Sequence, residues 1–142
     1  MPQLAALAVL ALEGVMRKRK ANEYFHVYVL VSAKNEDLIK VGKANNLLRA
    51  HHLARMGYAG RTDWMHVATF PLDSNHNALA LESLINAKLS NQGYKVPRMS
   101  WVNLINKRES YADECFSCTK EHAIAVANQM ADVIHCHVAT VS

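Results

Sequence analysis

Two strand-like runs, Phe25 to Val31 and Leu38 to Gly42, lie so close together in the sequence that only a hairpin can join them. The first carries apolar residues on both faces, which suits a strand covered on both sides, and Ser32 to Asp37 supplies the turn. The chain then passes directly into "NNLLRAHHLARM", where Asn45 or Asn46 is placed to cap a helix and Gly57 to end it. Strand, turn, strand and helix therefore follow one another without a linker.

Further along, Trp64 to Phe70 reads as a third strand ending at Pro71. Ser74 or Asn75 is placed to cap a helix over "NALALESLINAKL", which stops near Asn91 to Gly93. Gly93 to Asp113 is polar and irregular, holds Pro97 and Trp101, and reads as a long functional loop. "ECFSC" suits a short strand, and Thr119 caps a helix through "KEHAIAVANQMADVI". This order predicts an α+β fold: a small three-stranded, mostly antiparallel sheet flanked by helices, with extra N-terminal and C-terminal helices. The expected division is an N-terminal helix and basic run over 1–22, a central domain over 23–118, and a C-terminal helix over 119–142 packed on that domain.

Composition narrows the function classes. A chain of 142 residues, 51% of them hydrophobic, is enough for one core. With 20% charged residues, 5 Gly and 3 Pro, it is neither disordered nor collagen-like. Sixteen Lys and Arg against twelve Asp and Glu leave a formal +4, an excess that suits a polyanionic partner. The apolar opening "LAALAVLALEGVM" is too short to span a membrane, and the basic run Arg17 to Lys20 follows it, the reverse of a signal peptide. It reads as a helix that packs on the domain or on a second copy, so a homodimer is one expectation. Three cysteines cannot all pair within the chain, which points to a reducing, cytoplasmic setting.

Titratable residues collect around the hairpin. Tyr28 and Lys40 are both even-numbered, so a register symmetrical about residue 34 puts them on one face, where an ammonium near a phenol favours the phenolate. The plainer alternative is a core aromatic and a solvated edge lysine. On a helical wheel Arg49 lies between Leu53 and Met56, on an apolar flank, and Lys43 stands at the mouth of the helix; together they could clamp a phosphate. His52, one turn from Arg49, could orient water or phosphate. Glu82 lies beside Ala78, Ile85 and Leu89, where a carboxylate is costly unless a cation satisfies it. Mg²⁺ (or Mn²⁺) keeping most of its waters would do so, and a pairing with Lys88 is the competing account. Cys115, Cys118, His122 and the run His135-Cys136-His137 supply ligand types for a structural Zn²⁺. One continuous helix between them would hold Cys118 and Cys136 about 27 Å apart, so buried cysteines are expected there instead.

Taken together, these residues resemble the GIY-YIG nuclease superfamily. His26-Val27-Tyr28 stands for its first triplet and Lys40-Val41-Gly42 for its second, with Arg49 and Glu82 in the places of its helical Arg and Glu. The similarity covers roughly Phe25 to Phe116 and is nearest the phage-type branch, through Glu114-Cys115-Phe116. The resemblance implies a metal-dependent endonuclease that hydrolyses DNA phosphodiester bonds, with residues 23–118 as the nuclease domain. Tyr28 would be the general base, Lys40 and Lys43 would hold its proton affinity down, Arg49 would grip the scissile phosphate, and Glu82 would hold the metal. Lys40 departs from the family's second tyrosine, which leaves Tyr28 as the base. A late polar residue of the family, often Asn, has Asn86, Asn91, Asn103 and Asn106 as candidates. The alternative from another class is a non-catalytic nucleic-acid-binding or protein-interaction module on the same fold, using Arg17 to Lys20 and exposed Trp64 and Trp101.

Overall fold

A computed structural model describes residues 25–45 and 48–141. The helix and basic run expected over 1–22 lie outside these residues, as does Asn46. The described elements are β1 (Phe25–Ser32), β2 (Leu38–Ala44), α1 (Arg49–Met56), a 3₁₀ turn (Tyr58–Gly60), β3 (Trp64–Leu72), α2 (Asn75–Asn91), β4 (Met99–Val102), β5 (Glu109–Ala112), β6 (Cys115–Ser117) and α3 (Lys120–Val141).

The main sheet has four antiparallel strands in the order β3-β1-β2-β6, and β4 and β5 form a separate two-stranded sheet. The α+β class stands, but the expected three-stranded sheet is corrected to four strands plus a second sheet. The added strand is β6, which falls in "ECFSC" as expected but joins the sheet through neighbours remote in sequence. Ser117 N–H donates to Tyr94 O at 2.7 Å, and Cys118 N–H donates to Asp37 O at 3.0 Å. Gly93 to Asp113 is likewise not one irregular loop, because Met99–Val102 and Glu109–Ala112 pair within it.

Helix ends follow from the caps. Ser74 Oγ accepts from Asn77 N–H at 3.0 Å and starts α2, and Thr119 Oγ1 accepts from His122 N–H at 3.1 Å and starts α3. α1 begins later than its sequence suggests: Leu48 holds the cap position without a side-chain bond, and Asn45 lies before it. Gly57 ends α1 in the left-handed region at φ 75°, as its lack of Cβ allows. Pro71 is tolerated inside β3 because β3 is an edge strand.

The central strands β1 and β2 are buried on both faces, with different contents. Odd-numbered Val27, Val29, Val31, Ile39 and Val41 pack with Leu81, Ile85 and Leu89 of α2 and Ala123, Val126 and Ala127 of α3. Even-numbered Tyr28 and Leu30 pack with Leu53 of α1, Tyr58, Trp64, Trp101, Ala112 and Cys115. Trp64 and Trp101 are therefore core residues and not the exposed aromatics expected. Each buried aliphatic side chain on the odd face contributes roughly 1.5–3 kcal/mol of transfer free energy.

Candidate active site

The site is built on the end of the β1–β2 hairpin. Tyr28 stands opposite Gly42, and Lys40 stands opposite Leu30. The expected symmetry about residue 34 is thus corrected to one about residue 35, set by a turn that Asp63 braces: Ser32 Oγ and Lys34 N–H both donate to Asp63 Oδ2 at 2.8 Å. Parity survives the change, and Tyr28 and Lys40 share a face as diagonal neighbours. A Cβ on residue 42 would lie 2.3 Å from Tyr28 Oη and 2.6 Å from Cζ. The phenol therefore lies across the strand in the space that only glycine leaves open.

Lys40 is 5% exposed. Its ammonium donates to Glu114 Oε2 in an ion pair and sits 5.0 Å from the centroid of the Tyr58 ring. Burial alone would push its pKa down, but Tyr28, Tyr58 and Glu114 outweigh that and hold it above the usual lysine value. Lys40 is thus a fixed cation beside two phenols. Tyr58 is pushed up to about 12, chiefly by burial, so it stays neutral. Its ring makes an edge contact with Trp101 at 5.4 Å, and Trp64 Nε1 donates to its carbonyl at 2.9 Å.

Glu82 projects from α2 toward the same strand end. Burial and then the charge of Glu114 raise its pKa, while Lys40, the backbone N–H of Lys43 and the Lys43 ammonium oppose them. Its charged neighbours are these, not Lys88. The Lys43 amide faces Glu82, since β6 pairs only with Leu38–Lys40 and, among the described residues, no strand pairs with that flank of β2 at Lys43. One turn along α2, Asn86 Oδ1 is buried without a hydrogen-bond partner. Among the described residues no group of three or more His, Cys, Asp and Glu could hold a metal ion. Glu82 and Asn86, one turn apart on α2, offer one carboxylate and one unmet amide oxygen, donor types that a cation keeping most of its waters accepts.

Lys43, Arg49, His52 and Asn75 line an open cleft of about 370 Å³, with Phe25 and Ala78 in its wall. Lys43 Nζ donates to Asn75 Oδ1 at 3.0 Å, and Asn45 also lines the cleft; neither is among the asparagines expected at the site. Asn103 and Asn106 instead belong to the β4–β5 tip. Tyr28, Lys40 and Glu82 do not line the cleft; Lys43 connects them to it, having its side chain in the wall and its amide toward Glu82.

Sequence reasoning missed two further residues in the roles they have. Glu114 entered only as part of a motif, although a lysine on a central strand demands a buried anion, and that demand was the available signal. His26 is 1% exposed, its ring centroid lies 6.3 Å from that of Tyr28, and its Nδ1 has no partner. Burial, with His66 adding to it, lowers its pKa to about 4, so it is neutral at physiological pH. Cys115 and Cys118 are buried and free, and α3 runs unbroken from Lys120 to Val141.

A four-stranded antiparallel α+β domain with buried titratable groups at one strand end is the class that fold and site define. The family model of the T5orf172 domain matches residues 16–131, and the chain belongs to that family, a phage-associated domain of nuclease-like kinship. Comparison with curated proteins and with solved structures returns no match. Among the described residues no helix is long and apolar enough to cross a membrane.

Proposed function

We propose that the chain is a metal-dependent endonuclease of the GIY-YIG type that hydrolyses phosphodiester bonds in DNA. The observation that carries this reading is the Tyr28 phenol seated over Gly42 beside a permanently charged Lys40, with Glu82 on the open flank of the same strand. Tyr28, as phenolate, takes a proton from the attacking water. Lys40, kept as an ammonium by Glu114 and the two phenols, sets a positive charge on the same face as the phenol. Arg49 and Lys43 grip the phosphate in the cleft and offset its developing charge, and His52 orients the water or the phosphate from the same wall. Glu82, with Asn86 one turn away, would hold a Mg²⁺ or Mn²⁺ ion, which when bound supplies Lewis-acid stabilisation of the leaving oxygen.

The test is cleavage of linear, branched, single-stranded and modified DNA with Mg²⁺, run beside binding measurements. The expected result is nicking or cutting that is lost on chelation and in Tyr28→Phe and Glu82→Gln, both still folded by circular dichroism. One observation favours a second reading: the cleft is basic, and neither Tyr28 nor Glu82 lines it. DNA binding without cleavage of any substrate would make the domain a nucleic-acid-binding module instead.

A further inference from the structure

Residues 103–108, Asn-Leu-Ile-Asn-Lys-Arg, join β4 to β5. Side chains within the tip order it. Asn103 Oδ1 accepts from the N–H groups of Ile105 at 2.9 Å and Asn106 at 3.3 Å, and Asn106 Oδ1 accepts from Arg108 N–H at 2.9 Å. The tip is also fastened to α1. Leu104 N–H donates to Met56 O at 2.9 Å, and a Cβ on residue 57 would come within 3.0 Å of Leu104 Cδ1. The tip thus stands at one end of α1 while Arg49, at the other end, lines the cleft. The two are about 10 Å apart along the helix, the length of about three stacked nucleotides.

The hairpin turns Trp101 and Ala112 inward and leaves Val102 and Tyr111 outward at 55% and 50% exposure. Arg98 lies 4.1 Å from the Tyr111 ring centroid, and Ile105, at the tip, is 61% exposed. Lys107 and Arg108 follow it, both exposed. The nearest carboxylates lie outside the tip: Glu109 accepts a hydrogen bond from Tyr111 Oη at 3.4 Å, and Asp113 pairs with Arg98 at 3.5 Å. Between Val102 and Arg108 the chain therefore offers an aliphatic prong with two cations and no carboxylate. An apolar protein surface would match the prong but leave the cations unmatched. A stacked polyanion matches both, with apolar base faces inside and phosphates outside.

We propose that the β4–β5 tip is a nucleic-acid wedge, in which Lys107 and Arg108 contact phosphates while Ile105 inserts at a base step about three nucleotides from the cleft. This rests on the reading of the chain as a DNA-processing domain. It gives the domain a means of opening or bending duplex DNA next to the position where Arg49 would hold a phosphate, without any base-specific contact.

The experiment uses the full chain, a fluorescein-labelled duplex and a duplex carrying 2-aminopurine, with binding read by anisotropy across a salt series. Lys107→Ala/Arg108→Ala should weaken binding about tenfold at low salt and flatten the slope of log K against log salt by about two. Ile105→Ala should keep the wild-type salt slope and abolish the 2-aminopurine fluorescence rise that reports unstacking. Circular dichroism checks that each variant is folded, and Ile105→Val serves as the conservative control expected to retain the rise. Wild-type affinity, slope and fluorescence in all variants would overturn the wedge while leaving the nuclease reading intact. So would a wild-type dimer that Ile105→Ala dissociates without altering DNA binding. A wild type that neither binds nor cuts DNA would overturn both.

Discussion

The odd and even faces of the β1–β2 hairpin come from the same residues taken alternately, yet they are built for different ends. The odd face, Val27, Val29, Val31, Ile39 and Val41, is apolar under α2 and α3 until Lys43 at its open end. The even face is as deeply buried but holds His26, Tyr28, Ser32 and Lys40, with Glu114 brought in from beside β6. Burying an ammonium and an imidazole whose Nδ1 lacks a partner costs stability that an aliphatic side chain would not. The difference teaches that one face supplies the folding free energy and the other uses part of it to hold charge and phenol in fixed geometry.

Substitutions on the two faces should separate these roles. The largest effect belongs to Tyr28→Phe, which should lower DNA cleavage by about 10³-fold, some 4 kcal/mol in the barrier, with little change in the unfolding midpoint. Gly42→Ala comes next. Its methyl must displace the Tyr28 ring, so cleavage should fall and chemical denaturation should show a loss of about 1–3 kcal/mol. Val29→Ala on the opposite face should cost about 2 kcal/mol of stability while activity per folded molecule stays at the wild-type level. Equal effects of Gly42→Ala and Val29→Ala on activity would erase the distinction between the faces.

The effect that is smallest at neutral pH, and grows only on acidification, is acid sensitivity. The His26 pKa is lowered in the fold from 6.5 to about 4, so the unfolded chain takes up the proton first. Stability should therefore fall as pH drops from about 6.5 to about 4, by at most about 1.4 kcal/mol per pH unit from this group, and be level above that window. His26→Phe should remove this part of the slope in thermal melts. His66, lowered chiefly by its own burial, should leave a residual slope in the variant.

Much of the hairpin was legible because strand, turn and helix signals agree locally, and the parity of Tyr28 and Lys40 survived a misjudged turn centre. "ECFSC" reads as a strand, but its place in the sheet was not legible, since the three residues of β6 take their pairing from Leu38, Ile39 and Lys40 far away in the chain. Trp101 looked exposed because β4 and β5 are four residues each and no period marks which side faces α1. Arg49, Lys43 and His52 were placed together from helix geometry and do share a cleft. Tyr58 escaped notice, and Glu114 entered only as part of a motif, because the fold alone brings them to Lys40.

The brevity of β6 also bears on how the protein behaves in concentrated solution. Among the described residues no strand lies beside β2 past Lys40, and the Glu82 carboxylate stands against the amide that would otherwise recruit one. A charged group in that position guards an open sheet edge against pairing with another chain. Glu82→Ala removes the guard along with the proposed metal ligand, and such a variant should self-associate more readily than Glu82→Gln, which keeps an acceptor there. Light scattering on the two variants would show whether insolubility, and not chemistry alone, accounts for an inactive alanine mutant.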